Sequence, residues 1–576
     1  MHDLVIRGGS LIDGSGAPRF NGDIAIDGGV ITQVGGTAGA ARRTIDAAGA
    51  LVTPGWVDVH THYDGQVTWD PYCTPSSWHG VTSLVMGCCG VGFAPVKPDR
   101  YDWLIGLMEG VEDIPGAALA EGIQWQWETF PQYLDALAAK PLALDVGAQV
   151  PHGALRVYVM GERGVPDDSV ATPEDIAAMA QQLRESMQAG AFGFSTSRTL
   201  IHKGADGKLV PGTFAGRDEV FGIGRVLGEV GHGVFQMTSN HIDMPAEAQW
   251  MAELARETQR PVLFNLQQID QAPELWKQLL ARLDAAQAEG VPLIGCIPGR
   301  PAGVLYGWRA STQPFHFHAA WRETQALPIE QRIERLRDPE VRARLLAENV
   351  PIPDERAAFM LRSFDKMYRI DPAAPDYEPA PSQSAAAVAR ARGISPFEVV
   401  YEWMMAEGGS GIVYFPIFNY SYGDFSHLHR LLQHGQTMLS LGDGGAHVGY
   451  ITDAGLPTFM LTHWTRDRSR GPTLPLEDIV RRQTSHTAGI YGLHDRGLLK
   501  PGYKADLNVI DYARLSVDAP YMAYDLPGGG KRLLQKAQGY LATIVSGVPT
   551  HERGEATGAL PGQLLRSGRR SAPTRA

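Results

Sequence analysis

Cysteine is scarce in this chain, with only Cys73, Cys88, Cys89 and Cys296 among 576 residues. Four are too few for a disulfide framework at this length, and adjacent Cys88 and Cys89 make a poor bridge. Long apolar runs are also missing: no stretch approaches the roughly 18 residues that a membrane span requires. Met1-His2-Asp3 before Leu4-Val5-Ile6 lacks the basic-then-apolar order of a secretion signal. Nor is there a cationic excess, since 51 Lys and Arg stand against 63 Asp and Glu, a net charge of −12 with the signs interspersed. That balance argues against nucleic acid as the partner. The expectation is a cytoplasmic protein with free thiols that acts on a small molecule, away from membranes.

What is present is 44% hydrophobic residues with 66 Gly and 39 Pro, the composition of a packed globular chain with many loops. The first 55 residues alternate short β-rich runs (Leu4-Val5-Ile6, Asp23 to Ile31, Leu51-Val52-Thr53) with Gly and Asp turns. Beyond residue 56, apolar strand-like runs follow at Ser83 to Met86, Leu144 to Val150, Phe192 to Ser195, Val234 to Met237, Val262 to Leu266, Leu293 to Cys296 and Met438 to Leu441. Helical periodicity between several of them predicts helices over Pro173 to Ala189, Ala246 to Thr258 and Glu274 to Glu289. This rhythm predicts an α/β fold, a (β/α)8 TIM-like barrel over 56–499. An aromatic and charged insertion at about 300–400, with Trp308, Phe315, His316, Phe317 and His318, is expected over its mouth. Residues 1–55 and 500–560 are expected to build one small β-sandwich, and 561–576 a flexible tail.

The densest chemistry lies in Val57-Asp58-Val59-His60-Thr61-His62. Strand alternation puts His60 and His62 on one face, where two imidazoles can grip one metal; two histidines satisfied in a core remain an equal reading of this segment alone. The glycines of Gly87 to Gly92 lack the spacing of a phosphate-binding loop and read as tight turns.

Pro54-Gly55-Trp56-Val57-Asp58-Val59-His60-Thr61-His62-Tyr63-Asp64 resembles the opening signature of the amidohydrolase superfamily. His79 to Pro95, which contains Gly87-Cys88-Cys89-Gly90, is similar to a segment of the N-acyl-D-amino-acid deacylase (D-aminoacylase) family. So are Ala189-Gly190-Ala191-Phe192-Gly193-Phe194-Ser195-Thr196 and Arg496-Gly497-Leu498-Leu499-Lys500-Pro501-Gly502-Tyr503-Lys504-Ala505-Asp506-Leu507. The resemblance implies a Zn²⁺-dependent hydrolase that cleaves an amide C–N bond of a small N-acylated amino acid by metal-activated water. It implies His60, His62 and Cys89 as metal ligands, and Asp443 in Leu441-Gly442-Asp443-Gly444-Gly445 as ligand and proton shuttle. Cys88 is expected to pack away from the metal. A homo-oligomer is also expected.

The chain departs from the family in two places. Relatives carry a histidine within Thr-His-x-Arg on the fifth barrel strand and another within Ser-His-His-Lys on the sixth. Here the matching segments read Met237-Thr238-Ser239-Asn240-His241 and Phe264-Asn265-Leu266-Gln267-Gln268. His241 replaces the first ligand only if the register slips. One Zn²⁺ per chain is therefore expected, with two as the alternative. Substrate-facing candidates are His152 and Arg198, each just after a strand, and His447 in a Gly-rich turn; Arg198 is offered as a fork for a carboxylate. The alternatives left open are hydrolysis of another cyclic amide, imide, lactone or peptide, or a non-catalytic barrel used for binding.

Overall fold

The computed structural model describes residues 1–568. Both ends of the chain meet in one nine-stranded sheet. Leu51–Pro54 lies between His2–Leu11, paired parallel to it, and Leu507–Ile510, paired antiparallel. Beyond Leu507–Ile510 follow Tyr540–Val545 and Val548–Glu552. Leu4, Ile6, Ile24, Val52, Leu507 and Ile544 form a core of their own beneath this sheet. Chain ends this far apart in sequence are joined because each carries one apolar face that neither can bury alone.

Eight strand segments form a parallel succession. They are β1 (Trp56–Asp58), β2 (Val81–Met86), β3 (Asp145–Ala148, resuming as Val150–Pro151), β4 (Gly193–Ser197), β5 (Val234–Thr238), β6 (Val262–Asn265), β7 (Leu293–Ile297) and β8 (Thr437–Leu439). Each pairs parallel with the next. A parallel bridge, Thr61 to Gly444, joins the segment just past β1 to that just past β8. The His62 amide donates to the Gly444 carbonyl at 2.7 Å and the Asp443 amide to the His60 carbonyl at 3.0 Å. Almost every residue in these strands is buried, as expected where both faces of a parallel sheet are covered.

Helix Pro173–Ala189 shows why the intervening elements form where they do. Thr172 and Asp175 make a capping box, Pro173 takes the first turn and Gly190, at φ +114°, ends the helix. The other two predicted helices run over Met244–Thr258 and Leu275–Ala288, within two residues of the sequence expectation.

The connection from β7 to β8 is a subdomain in its own right. Gly303–Tyr306 and Tyr368–Arg369 pair with Val413–Pro416, and helices including Ile329–Arg337, Glu355–Arg362 and Pro396–Gly409 surround a core of Trp308, Phe315, Trp321, Leu336 and Phe415. The insertion thus runs past residue 400, and its aromatic cluster is mainly core: the Trp308 and Phe315 rings stack at 5.5 Å.

The expected tail is corrected at its start. Residues 561–567 run beside β3, with the Val146 amide donating to the Gln563 carbonyl at 3.0 Å, the Leu565 amide to the Val146 carbonyl at 2.7 Å, and Leu565 buried. The leucines of that segment find apolar cover that a reading weighted towards its Arg, Ser and Gly overlooked. The remaining part of that expectation, 569–576, lies outside the described residues.

The Arg496-to-Leu507 motif has a structural task. Arg496 and Lys504 both reach Asp145 of β3, at 2.5 and 2.6 Å, and Lys504 also contacts Asp506 at 3.1 Å, all buried. Burial opposes ionisation of Asp145, yet the two cations hold its carboxyl below the usual range. This network pins the terminal sheet to the parallel strands.

Candidate metal centre and active site

His60 and His62 leave the end of β1 on one side, with ring centroids 5.7 Å apart. The loop after β2 brings Cys89 to them. Gly87 turns it at φ +78°, where a Cβ would lie 2.3 Å from the Gln149 carbonyl oxygen. The Gly90 amide donates to Ser195 Oγ at 3.0 Å and the Cys89 amide to Gln236 Oε1 at 3.0 Å, so β4 and β5 fix the loop. Cys89 itself sits at φ +57°. Its Sγ lies 3.2 Å from His60 Nε2. Cys88 turns away, buried, with its Sγ 3.6 Å from the Val59 carbonyl and 3.3 Å from Gln149 Nε2.

Asp443 follows β8 at φ +44°, and Leu441 and His447 on the same loop also have positive φ. Clustered strain of this kind persists only where surrounding contacts enforce it, which is commonest at functional sites. A side chain at Gly442 would place its Cβ 2.3 Å from Asp58 Oδ2. Asp443 Oδ1 stands 3.3 Å from His60 Nε2 and 3.8 Å from His62 Nε2. Its side chain keeps 22% of its surface accessible, while those of His60 and His62 keep 2%.

Among the described residues, ligand atoms of His60, His62 and Cys89 lie within 4.8 Å of one another. Burial, then the charge of His447, pushes His60 down to about 3; burial, then the neighbouring histidines, pushes His62 well below its usual value. Their lone pairs are therefore free at neutral pH. The acids behave in the opposite sense: burial, then Asp453 and Asp58, raises the Asp443 carboxyl, and burial, then Asp443 and Glu112, raises the Cys89 thiol. Neutral imidazoles beside a thiol and a carboxyl crowded by other acids fit a divalent cation, and N and S donors fit zinc in particular.

The other predicted residues are placed differently. His447 lines the cavity of about 140 Å³ that also exposes His60, His62, Cys89, Asp443 and His241. His241, expected as a ligand candidate, lies outside the cluster of ligand atoms: it opens a short 3-10 turn beyond β5 and packs edge-on to Phe418 at 4.8 Å. His152 does not line this cavity; its ring is fully buried between Thr196 Oγ1 at 2.9 Å and Glu219 Oε1 at 3.0 Å. Arg198 is likewise turned away, donating to the Thr213 carbonyl at 2.8 Å and lying 3.4 Å from Glu247 on helix Met244–Thr258. The sequence places both just past strand ends, but that position does not decide whether a side chain faces the mouth or the surrounding helices.

Four cavity neighbours were missed. Glu112, 0% exposed, ends helix Tyr101–Glu112 with its Oε1 3.1 Å from His62 Nδ1 and its Oε2 3.8 Å from His447 Nδ1. The available signal was an acid on the Leu104, Met108, Glu112 stripe of an otherwise apolar helix face. His202, pushed down to about 3 by burial and then by His447, stands with its ring 5.8 Å from that of His447. Tyr450 Oη lies 3.3 Å from His447 Nδ1. Arg356, from the insertion, completes the wall. Nothing in the local sequence marks the last three.

The Amidohydrolase family model matches residues 43–551. The chain belongs to that family. It is 28% identical to a D-aminoacylase of Alcaligenes xylosoxydans xylosoxydans, over 98% of this chain and 97% of the relative. It is also 28% identical to an N-acyl-D-aspartate deacylase of the same organism, over 98% and 95%. A solved D-aminoacylase structure, described by its binuclear metal centre with one-metal activation and second-metal attenuation, aligns at a TM-score of 0.65 and 25% identity, over 98% of this chain and all of the other. The chain is thus an α/β member of the metal-dependent amidohydrolases, and no helix among its described residues is long and apolar enough to cross a membrane.

Proposed function

We propose that this protein is a zinc-dependent hydrolase that cleaves the amide C–N bond of small N-acylated amino acids, with β1 to β8 closing as a (β/α)8 barrel around the site. The domain reading goes with it: a β-sandwich from 1–55 and 500–560 and a barrel over 56–499. The observation that carries the functional reading is the convergence of His60, His62, Cys89 and Asp443 at one buried cavity. His60, His62 and Cys89 would hold the ion, with Asp443 beside it. Bound there, zinc supplies Lewis acidity, polarising a carbonyl and lowering the pKa of water towards neutrality.

The chain's own residues do the rest. Asp443, with its carboxyl pushed above the usual range, takes a proton from the attacking water and returns it to the departing amine. Glu112 Oε1 stands 3.1 Å from His62 Nδ1, a close contact without hydrogen-bond alignment, from which its carboxylate would orient the ring with Nε2 towards the cavity. His447 and Tyr450, 3.3 Å apart on the cavity lining, offer hydrogen bonds to the substrate. A single metal is favoured because Asn265 and Gln267 stand where a second histidine would be needed, and one metal activates the D-aminoacylase noted above.

The test is turnover of an N-acetyl-amino-acid panel of both hands by zinc-loaded protein, with Asp443→Asn alongside. Release of free amino acid, lost in the variant, is expected. Zinc-loaded protein that turns over no N-acyl amino acid contradicts the reading.

A further inference from the structure

Resting on the hydrolase reading above, we infer that Arg356 anchors the substrate's carboxylate, and that the apolar chamber beside it selects amino acids with uncharged, apolar side chains. The inner cavity adjoins an outer chamber of about 310 Å³, and Thr199, Ile201, His241, Arg356 and Met360 line both. Arg356 is therefore at the junction. It is the only Lys or Arg among the described residues on either lining. Among the described residues its guanidinium has no ion pair, and nearby Asp354 is engaged in capping, accepting from the Ala357 amide at 2.8 Å. Arg356 remains exposed to solvent at the junction; partial desolvation lowers its pKa, and Tyr450 and Asp354 act against that shift. Arg198, a candidate for this task from its place after a strand, is instead engaged by Glu247 and the Thr213 carbonyl.

The outer chamber is walled mainly by Leu200, Ile242, Ile269, Phe359, Ile417 and Phe418, with Asn240, His241 and Gln271 as neutral polar members. Leu200 and Ile242 are 44% and 49% exposed at its rim, which leaves the chamber open to an entering side chain. An N-acyl amino acid whose scissile amide sits at His60 and Asp443 would carry its carboxylate to Arg356 and its side chain into this chamber. A bidentate guanidinium satisfies one carboxylate. A second one, as in an acidic amino acid, would find no second cation among the Ile, Phe and Met of the wall, only the neutral Thr199, Asn240, His241 and Gln271, and desolvating a carboxylate without a cation is unfavourable.

The experiment compares kcat/KM for N-acetylleucine, N-acetylaspartate, N-acetylglutamate and N-acetylleucinamide, each in both hands, on zinc-loaded protein and on Arg356→Met. The native protein is expected to favour N-acetylleucine over both the acidic substrates and the carboxylate-free amide by about 100-fold or more. Arg356→Met should collapse the acid-over-amide preference to near unity, chiefly through KM, with Arg356→Lys intermediate. Equal losses on acid and amide, or acidic substrates handled as well as N-acetylleucine, would overturn the assignment. Calorimetric binding of N-acetylleucine separates the two claims. Arg356-dependent binding without turnover of any amide supports the anchor and removes the hydrolase reading; turnover with the preference unchanged in Arg356→Met removes the anchor and leaves the hydrolase reading in place.

Discussion

Glu112→Gln is the sharpest probe of how the candidate metal centre is built. The substitution keeps size and shape and removes one charge from a carboxyl that is 0% exposed and 3.1 Å from His62 Nδ1. An ionised carboxylate at that distance would fix the His62 tautomer and ring and make Nε2 a better donor. Partners of this kind typically change metal affinity by about 10- to 100-fold, which corresponds to roughly 1.4 to 2.7 kcal/mol. The lower end applies if Glu112 ionises only partly, because burial, then Asp443 and Asp64, raises its pKa until a cation is present. The assay is zinc affinity by chelator competition on metal-stripped protein, with thermal melts of the stripped forms as the control for folding. A zinc affinity within threefold of native, in a variant that melts normally, would refute the reasoning and make Glu112 a packing residue.

Further expectations follow the same logic. Asp443→Asn should retain most of the zinc but lose about 10²- to 10⁴-fold in kcat, read by elemental analysis and steady-state kinetics; metal loss equal to that of His60→Ala would recast Asp443 as chiefly a ligand. Gly442→Ala should destabilise by about 1 to 3 kcal/mol in chemical denaturation and displace Asp443, because its Cβ meets Asp58 at 2.3 Å; a native-like melt and rate would show that Asp58 yields freely. Glu378, in the insertion, is held down at about 2 by His463 and Arg468 hydrogen bonds that outweigh its burial. Its folded pKa lies below the ordinary 4.5, so its contribution is present above about pH 4.5 and disappears as the pH falls towards 2. The melting-temperature gap between native protein and Glu378→Gln should therefore narrow over that interval, and a pH-independent gap would contradict the linkage.

The segments of the parallel array were legible because a buried strand or an amphipathic helix writes its period into the sequence; Pro173–Ala189 carries both its capping box and its terminal glycine in plain view. His60 and His62 were legible for the same reason, since strand alternation alone gives them a common side. Glu112 and Arg356 were not, because they reach the cavity from a helix end and from an insertion, and no local period records which distant wall a side chain meets. Arg198 and His152 illustrate the converse: both stand in suggestive positions, yet Glu247 and Glu219 on neighbouring helices claim them. The packed segment at 561–567 escaped notice because a few leucines in a polar stretch carry no period at all.

The most direct test of the account is metal content per chain, by elemental mass spectrometry, on protein loaded with excess zinc and then desalted, alongside His60→Ala and Cys89→Ser. The account predicts about one zinc per native chain, most of it lost in both variants while the fold is retained. Native protein that folds normally and holds no zinc, or holds it equally in both variants, would contradict a metal centre at His60, His62 and Cys89.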